Sequence, residues 1–245
     1  MIGTSPIFVG FDNFIYLLSY PSFNYAFLNS IVLAGIGVNL KMFLALIMAV
    51  LLNVEFRGRR IIRALLLLPW AIPMVPSLVT WRWMLDADYG FFNNSFALMG
   101  LPRIPFLGIY ESAISMAVVY HIWRILPFYT LLLLAGLQSI PREIYESADV
   151  DGANWWQKFW RVTFPLIKPL YLIATLLSTI WTLGDFTTIW VLTRGAPADT
   201  TNVFATFAYK FAFQVANFGA AYATFVFLLP VIVILIIVLL RRIGD

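Results

Sequence analysis

The chain has 245 residues, of which 62% are hydrophobic and only 11% charged, with a mean hydropathy of +0.87. No soluble core needs that much apolar surface, so the composition excludes a soluble globular domain and places the chain in a bilayer. The net charge of +4 then reports membrane topology and implies no nucleic acid, while the lack of cysteine excludes disulfides, thiolate metal sites and a cysteine nucleophile.

In chain order, residues 1–27 carry no basic, cleavable signal segment and read as an extracytoplasmic lead-in, so insertion is expected to rest on internal spans. A crossing of about 30 Å of hydrocarbon takes roughly 20 helical residues. Five runs reach that length, near 28–52, 61–85, 112–137, 167–192 and 218–240. In the second run Pro69, Pro73 and Pro76 recur at spacings of four and three, each removing a backbone donor. They suit either a hinge or simple packing. Ten of the sixteen basic residues fall on one side: Arg57, Arg59, Arg60 and Arg63, then Arg142, Lys158, Arg161 and Lys168, then Arg241 and Arg242. The opposite loops hold only Arg103, Arg194 and Lys210, so the basic loops and the C-terminus are expected in the cytoplasm and Met1 outside.

One of the basic loops, 139–166, is long and charged, and it reads as a protein-docking elbow. Pro141 suits a first helical position, Glu143 sits near the positive end of the helix dipole, and Gly152 can stop the helix. On a helical wheel Arg142, Glu146 and Asp149 share one face, opposite Ile144, Tyr145 and Ala148. A polar-aromatic segment from Trp155 to Phe164 follows, with Pro165 marking its end. The competing reading is an ordinary helix lying among headgroups. Glu146, Asp149 and Asp151 suit an anionic membrane surface poorly.

Glu146-Ser147-Ala148, Asp151-Gly152-Ala153 and the later Pro165 resemble the EAA loop of permease subunits in ATP-binding-cassette importers, with Ser147 where the family usually has alanine. Three further stretches, FRGRRIIRALLLLPWAIPMVPSLVTWRWMLDADYG, IWRILPFYTLLLLAGLQSIPREIYESADVDGA and GDFTTIWVLTRGAPADTT, resemble the carbohydrate and polyol branch, in particular the first of its two permease partners. The resemblance implies an all-α, polytopic helical bundle with the type I ABC importer permease fold, from which the family's usual first helix is absent. A natural five-span variant and a shortened product both fit that gap. It also implies that Glu143, Glu146, Ser147, Ala148, Asp151, Gly152 and Ala153 couple the chain to a cytoplasmic ATPase without being catalytic. The implied partners are a second homologous permease, two ATPase subunits that bind ATP and Mg, an extracytoplasmic solute-binding protein, a sugar-like substrate and membrane lipid. The implied location is the cytoplasmic (inner) membrane.

Ionisable groups inside a membrane face a cavity or a partner, which singles out Lys41, Arg82, His121, Arg124 and Asp185. Arg82, between Trp81 and Trp83, suits either an interfacial anchor or a surface for a sugar. His121 and Arg124, three apart, share a helix face and fit a hydrogen-bond cluster or part of a substrate path. Asp185, placed near the middle of the fourth run, needs a base such as Lys41 or Arg124. Thr188 and Trp190, with Asn39 and Thr187, offer further polar or stacking surface.

The chain has no Gly-x-x-x-x-Gly-Lys-Ser/Thr loop, so it supplies no ATPase and binds no cofactor of its own. A single histidine without a two-histidine helix motif leaves no metal cluster. An ion-coupled secondary transporter, the alternative, calls for inverted repeats and several membrane carboxylates, whereas Asp185 stands nearly alone.

Overall fold

The computed structural model describes residues 7–244. Met1 and Asp245, the ends assigned to opposite sides, lie outside the described residues. The described residues are helical without strands. Four helices are long and apolar enough to cross a membrane: Pro21–Asn53, Tyr110–Gln138, Trp155–Leu183 and Phe218–Val238.

Two expected spans differ from the sequence reading. The run near 61–85 is two helices, Arg59–Ala71 and Met74–Met84, bent by 88° at the break, which count as one span only if taken together. Pro73 has no N–H for the Pro69 carbonyl and Pro76 none for the Ile72 carbonyl, so the helical ladder loses two rungs at one place. Arg124 fills both. Its Nη1 donates to the Ile72 carbonyl at 3.0 Å and to the Pro69 and Trp70 carbonyls at 3.4 Å. A broken helix persists in a membrane only when freed carbonyls find such donors.

The fourth span, expected over 167–192, begins at Trp155 and ends at Leu183. Pro165 therefore sits inside this helix and does not mark an end. A π-helical turn over Phe159–Thr163 precedes it and supplies the local widening that a helical proline lacking its donor requires. The loop expected over 139–166 shrinks accordingly, because its second half is already the start of the span.

The chain divides into two compact units. One holds the residues up to Gly37, Pro73–His121 and Ile180–Ile234, and its core packs Phe23, Phe204, Phe207 and Phe211 with Leu17 and Ala220. Asn29 is fully buried there and pins the loop after Leu192. Its Nδ2 donates to the carbonyls of Thr200 (2.7 Å) and Asn202 (2.8 Å), while its Oδ1 accepts from the Tyr110 hydroxyl (2.9 Å). Asn29→Ala strands these groups and is expected to cost about 1–3 kcal/mol. A thermal unfolding scan of the detergent-solubilised protein is expected to show Tm lower by about 5 °C.

The other unit holds Val38–Ile72, Ile122–Thr179 and the residues from Leu235 on. Met42, Ala45, Leu133, Leu134 and Ile167 form its core. At Gly136 a Cβ would lie 2.4 Å from Leu170 Cδ2, so any larger residue there requires the Leu170 side chain to move.

Candidate functional site

The loop after Gln138 builds a short amphipathic helix, Arg142–Val150. Pro141 stands one position earlier than expected, as the cap residue with φ −58° and ψ 140°, where its missing N–H costs nothing. At the far end the Ala153 N–H bonds the Ala148 carbonyl and the Gly152 N–H bonds the Asp149 carbonyl, both at 3.0 Å. These two bonds define a Schellman stop, which needs a left-handed residue, and Gly152 supplies it at φ +75°. Two residues on, Asn154 caps the next helix reciprocally with Gln157, each bond 2.9 Å. The elbow is therefore specified by adjacent backbone chemistry.

The seven residues proposed for coupling divide by exposure. Glu143, Glu146, Ser147, Asp151 and Gly152 are exposed, and Ala153 is half-buried. Ala148 is buried under its own chain, so it faces the fold and not an external groove. Ile144 and Tyr145 are half-buried on the same side, and the Tyr145 hydroxyl meets Thr163 Oγ1 at 3.1 Å. Lys158 Nζ lies 2.6 Å from Asp149 Oδ1, joining this helix to the start of the Trp155–Leu183 span. Arg142 reaches Glu55 at 3.8 Å. Such exposed pairs are worth at most about 1 kcal/mol each, so they orient the elbow without dominating its stability. Glu143, Glu146 and Asp151 have no ion-pair partner among the described residues, which leaves an acidic outer face open to a partner.

In the other unit a polar cluster forms where the span ending at Leu183 breaks. Asp185 does not lie mid-span: it follows Gly184 in the gap before the helix Thr187–Leu192. Its Oδ1 accepts from the Thr188 N–H at 3.1 Å and its Oδ2 from the Thr188 hydroxyl, so the carboxylate caps this helix N-terminus. His121 Nδ1 stands 4.0 Å from Asp185 Oδ2, and its Nε2 meets Thr182 Oγ1 at 3.1 Å. His121 is thus the imidazole that faces Asp185 within its own unit. Lys41, itself buried, sits over the Tyr129 ring with 5.1 Å from Nζ to the centroid. Arg124 serves the broken helix.

The other path candidates scatter. Trp81 packs edge-on against Tyr120, whose hydroxyl bonds Ser77 at 2.6 Å. Arg82 lines a separate cavity of about 270 Å³ with Asp86, Pro105 and Thr193. There the Asp88 and Tyr89 N–H groups bond Asp86, the first of them holding its carboxyl below the ordinary carboxylate range. Thr188 is buried, and Trp190 stacks on Phe186 (5.1 Å) and meets Tyr209 edge-on (4.8 Å). The sequence reading missed Thr182, Phe186 and Tyr209. The i, i+4 spacing of Phe186 and Trp190 is a usable signal, whereas nothing local points to Tyr209 or Thr182. No group of three or more potential metal ligands occurs among the described residues.

The chain matches known proteins across most of its length. It is 37% identical over 212 residues to the trehalose/maltose transport system permease protein MalF of Thermococcus litoralis, covering 86% of this chain and 72% of that one. It is 31% identical to the sulfoquinovosyl glycerol transport system permease protein SmoG of Agrobacterium fabrum, covering 99% and 80% respectively. The fold superposes with TM-score 0.85 and 26% identity on a chain of a bacterial alginate ABC transporter solved with an alginate pentasaccharide-bound periplasmic protein, covering 94% of this chain and 81% of that chain. The helical architecture is thus that of an ABC importer permease. Residues 41–243, which include the elbow and the polar cluster, match the family model described as binding-protein-dependent transport system inner membrane component, and the chain belongs to that family.

Proposed function

We propose that the chain is the translocating subunit of an ATP-driven importer for a sugar or related polyol, working by alternating access. The observation that carries this reading is the rigid elbow with its unpartnered acidic face, joined by Lys158 to a membrane span. Relatives named for trehalose/maltose and sulfoquinovosyl glycerol transport, and an alginate importer of the same fold, support the substrate class. The assembly comprises a second homologous permease, two ATPase subunits and an external solute-binding protein. ATP and Mg belong to the ATPase subunits, and this chain holds neither. Closure of the ATPases moves the elbow, and the spans follow as a rigid-body switch between two states that differ in their contacts at the elbow. His121, Thr182, Asp185 and Thr188 line the solute's way at the helix break, with Trp190 as a stacking surface. Identifying the ligand of the cognate binding protein, and then measuring its uptake in cells lacking this chain, tests the proposal. Uptake unaffected by the deletion would sink it.

The elbow and the C-terminus lie in the cytoplasm in this reading, with Met1 outside. The bent pair makes the count of crossings the sensitive quantity, since it adds a fifth crossing only if its two arms traverse the bilayer together. Accessibility labelling of terminal tags in intact cells is expected to find Met1 outside and Asp245 inside. Tags on the same side would show that Arg59–Met84 enters and leaves by one face.

A further inference from the structure

Arg82 and Asp86 line the cavity of about 270 Å³ together with Pro105, Thr193 and Ala196, all within one compact unit. Buried polar groups fix both of its walls. On one side Asn93, fully buried, donates to the carbonyls of Asp86 (3.1 Å), Ala87 (3.3 Å) and Ile104 (2.8 Å) and accepts from the Ile104 N–H (2.8 Å), which ties Asp86 and Ala87 to Ile104. On the other, the Thr193 hydroxyl meets that of Thr201 at 2.7 Å, and Thr201 Oγ1 donates to the Ala196 carbonyl at 2.8 Å. A cavity held in this way is formed before anything enters it, as ligand sites usually are.

Its charged groups have bonding capacity left over. Arg82 is exposed and makes no hydrogen bond or ion pair among the described residues, so its guanidinium donors find no protein acceptor there. Asp86 gives one oxygen, Oδ1, to the N–H groups of Asp88 and Tyr89, and with the Tyr89 hydroxyl beside it the carboxylate still has acceptor sites to offer. Together the two side chains donate to and accept from a molecule bearing hydroxyls, and their charges cancel. An anionic solute gains Arg82 only by facing Asp86, so the pair selects against charge. Sites for whole drug-sized ligands start at about 300 Å³, so this cavity has room for a single ring. It adjoins Leu192, the end of the helix Thr187–Leu192 whose beginning Asp185 caps, and about 9 Å of helix therefore separates it from the polar cluster. We infer that this cavity receives one uncharged sugar or polyol ring through Arg82 and Asp86, as an outer stop before the solute reaches Asp185. Its place on the outer side rests on the importer reading and the orientation proposed above.

Because the chain has no cysteine, Ala87→Cys on the cavity wall and Ala97→Cys outside it each carry a single thiol, and both positions are exposed. The assembled transporter is kept in detergent, so that sidedness plays no part, and labelling of this chain by a thiol reagent is followed by mass. Glucose, mannose, xylose and glycerol serve as neutral probes and glucuronate as the charged one. At least one neutral probe is expected to slow labelling of Ala87→Cys severalfold and saturably while leaving Ala97→Cys unchanged, and glucuronate is expected to protect several times less. Adding Arg82→Gln is expected to abolish the protection, with an unchanged rate at Ala97→Cys showing that the variant is folded. Asp86→Asn keeps Oδ1 for the two N–H groups but removes the charge, and it is expected to bring glucuronate up to the neutral probe. No saturable protection by any neutral probe, equal protection at both positions, protection that survives Arg82→Gln, or stronger protection by glucuronate in the parent overturns the site. Protection by the purified binding protein and by no sugar overturns it in favour of a protein contact. None of these readouts needs ATP or transport, so the importer reading stands or falls separately, on uptake in cells lacking this chain. Repeating the labelling in intact cells with an impermeant reagent tests the orientation by itself.

Discussion

Gly152→Val is expected to lower substrate-stimulated ATP hydrolysis and uptake by roughly tenfold or more, the equivalent of about 1.4 kcal/mol. Gly152 has φ +75°, and a Cβ added there meets nothing within 4 Å, so the whole penalty is conformational. An L-residue in the left-handed region costs about 1–2 kcal/mol, and a β-branched one is the least tolerant of it. Valine therefore opens the Schellman stop and turns the acidic face away. Asparagine visits the same region readily, so Gly152→Asn is expected to keep most of the coupling. Ala148→Trp reaches the same end from inside. At 9% exposure the position has no room for an indole, and overpacking of about 1–3 kcal/mol displaces the helix from Tyr145 and Thr163. Both variants are expected to insert normally and to leave the ligand affinity of the binding protein unchanged. Reconstitution with all subunits, following ATPase co-purification, hydrolysis and transport together, makes the check. Full coupled transport by both Gly152→Val and Ala148→Trp would remove the elbow from the mechanism.

Asp185→Ala is the second large effect expected. The carboxylate accepts both the N–H and the hydroxyl of Thr188 and faces His121, so removing it uncaps the Thr187–Leu192 helix and strands two buried donors at about 1–3 kcal/mol. Asparagine keeps an acceptor oxygen for Thr188. If the contact is what matters, Asp185→Asn is expected to retain uptake within severalfold of the parent, and Asp185→Ala to lose about tenfold or more. A different result would be as informative: if Asp185→Asn assembles normally yet abolishes uptake, the charge itself acts on the solute, and the capping role is secondary.

How much was legible follows from how local each determinant is. The membrane setting, the approximate spans and the elbow could be read directly, since apolar run length, basic loops and a glycine after an acidic amphipathic helix act over a few residues. The stop at Gly152 belongs with them, because both of its bonds join residues within five of each other. The proline positions were legible while their effects were not. Pro73 terminates one helix at an 88° bend, whereas Pro165 passes inside another behind a π turn.

Which outcome a proline produces depends on whether its freed carbonyl finds a donor, and that donor is distant. Arg124 serves carbonyls more than fifty residues away in sequence. The partners of Asp185 were hidden for the same reason, since His121 shares no local pattern with it. By itself, then, the sequence determined the membrane class and the elbow's turn, through interactions confined to neighbouring residues. Only the tertiary structure decided where the second span breaks, that the fourth begins at Trp155, that Ala148 faces inward, and which groups meet Asp185. Intramembrane polar groups take whichever partner the packing brings within hydrogen-bond reach, and helical periodicity carries no information about that choice.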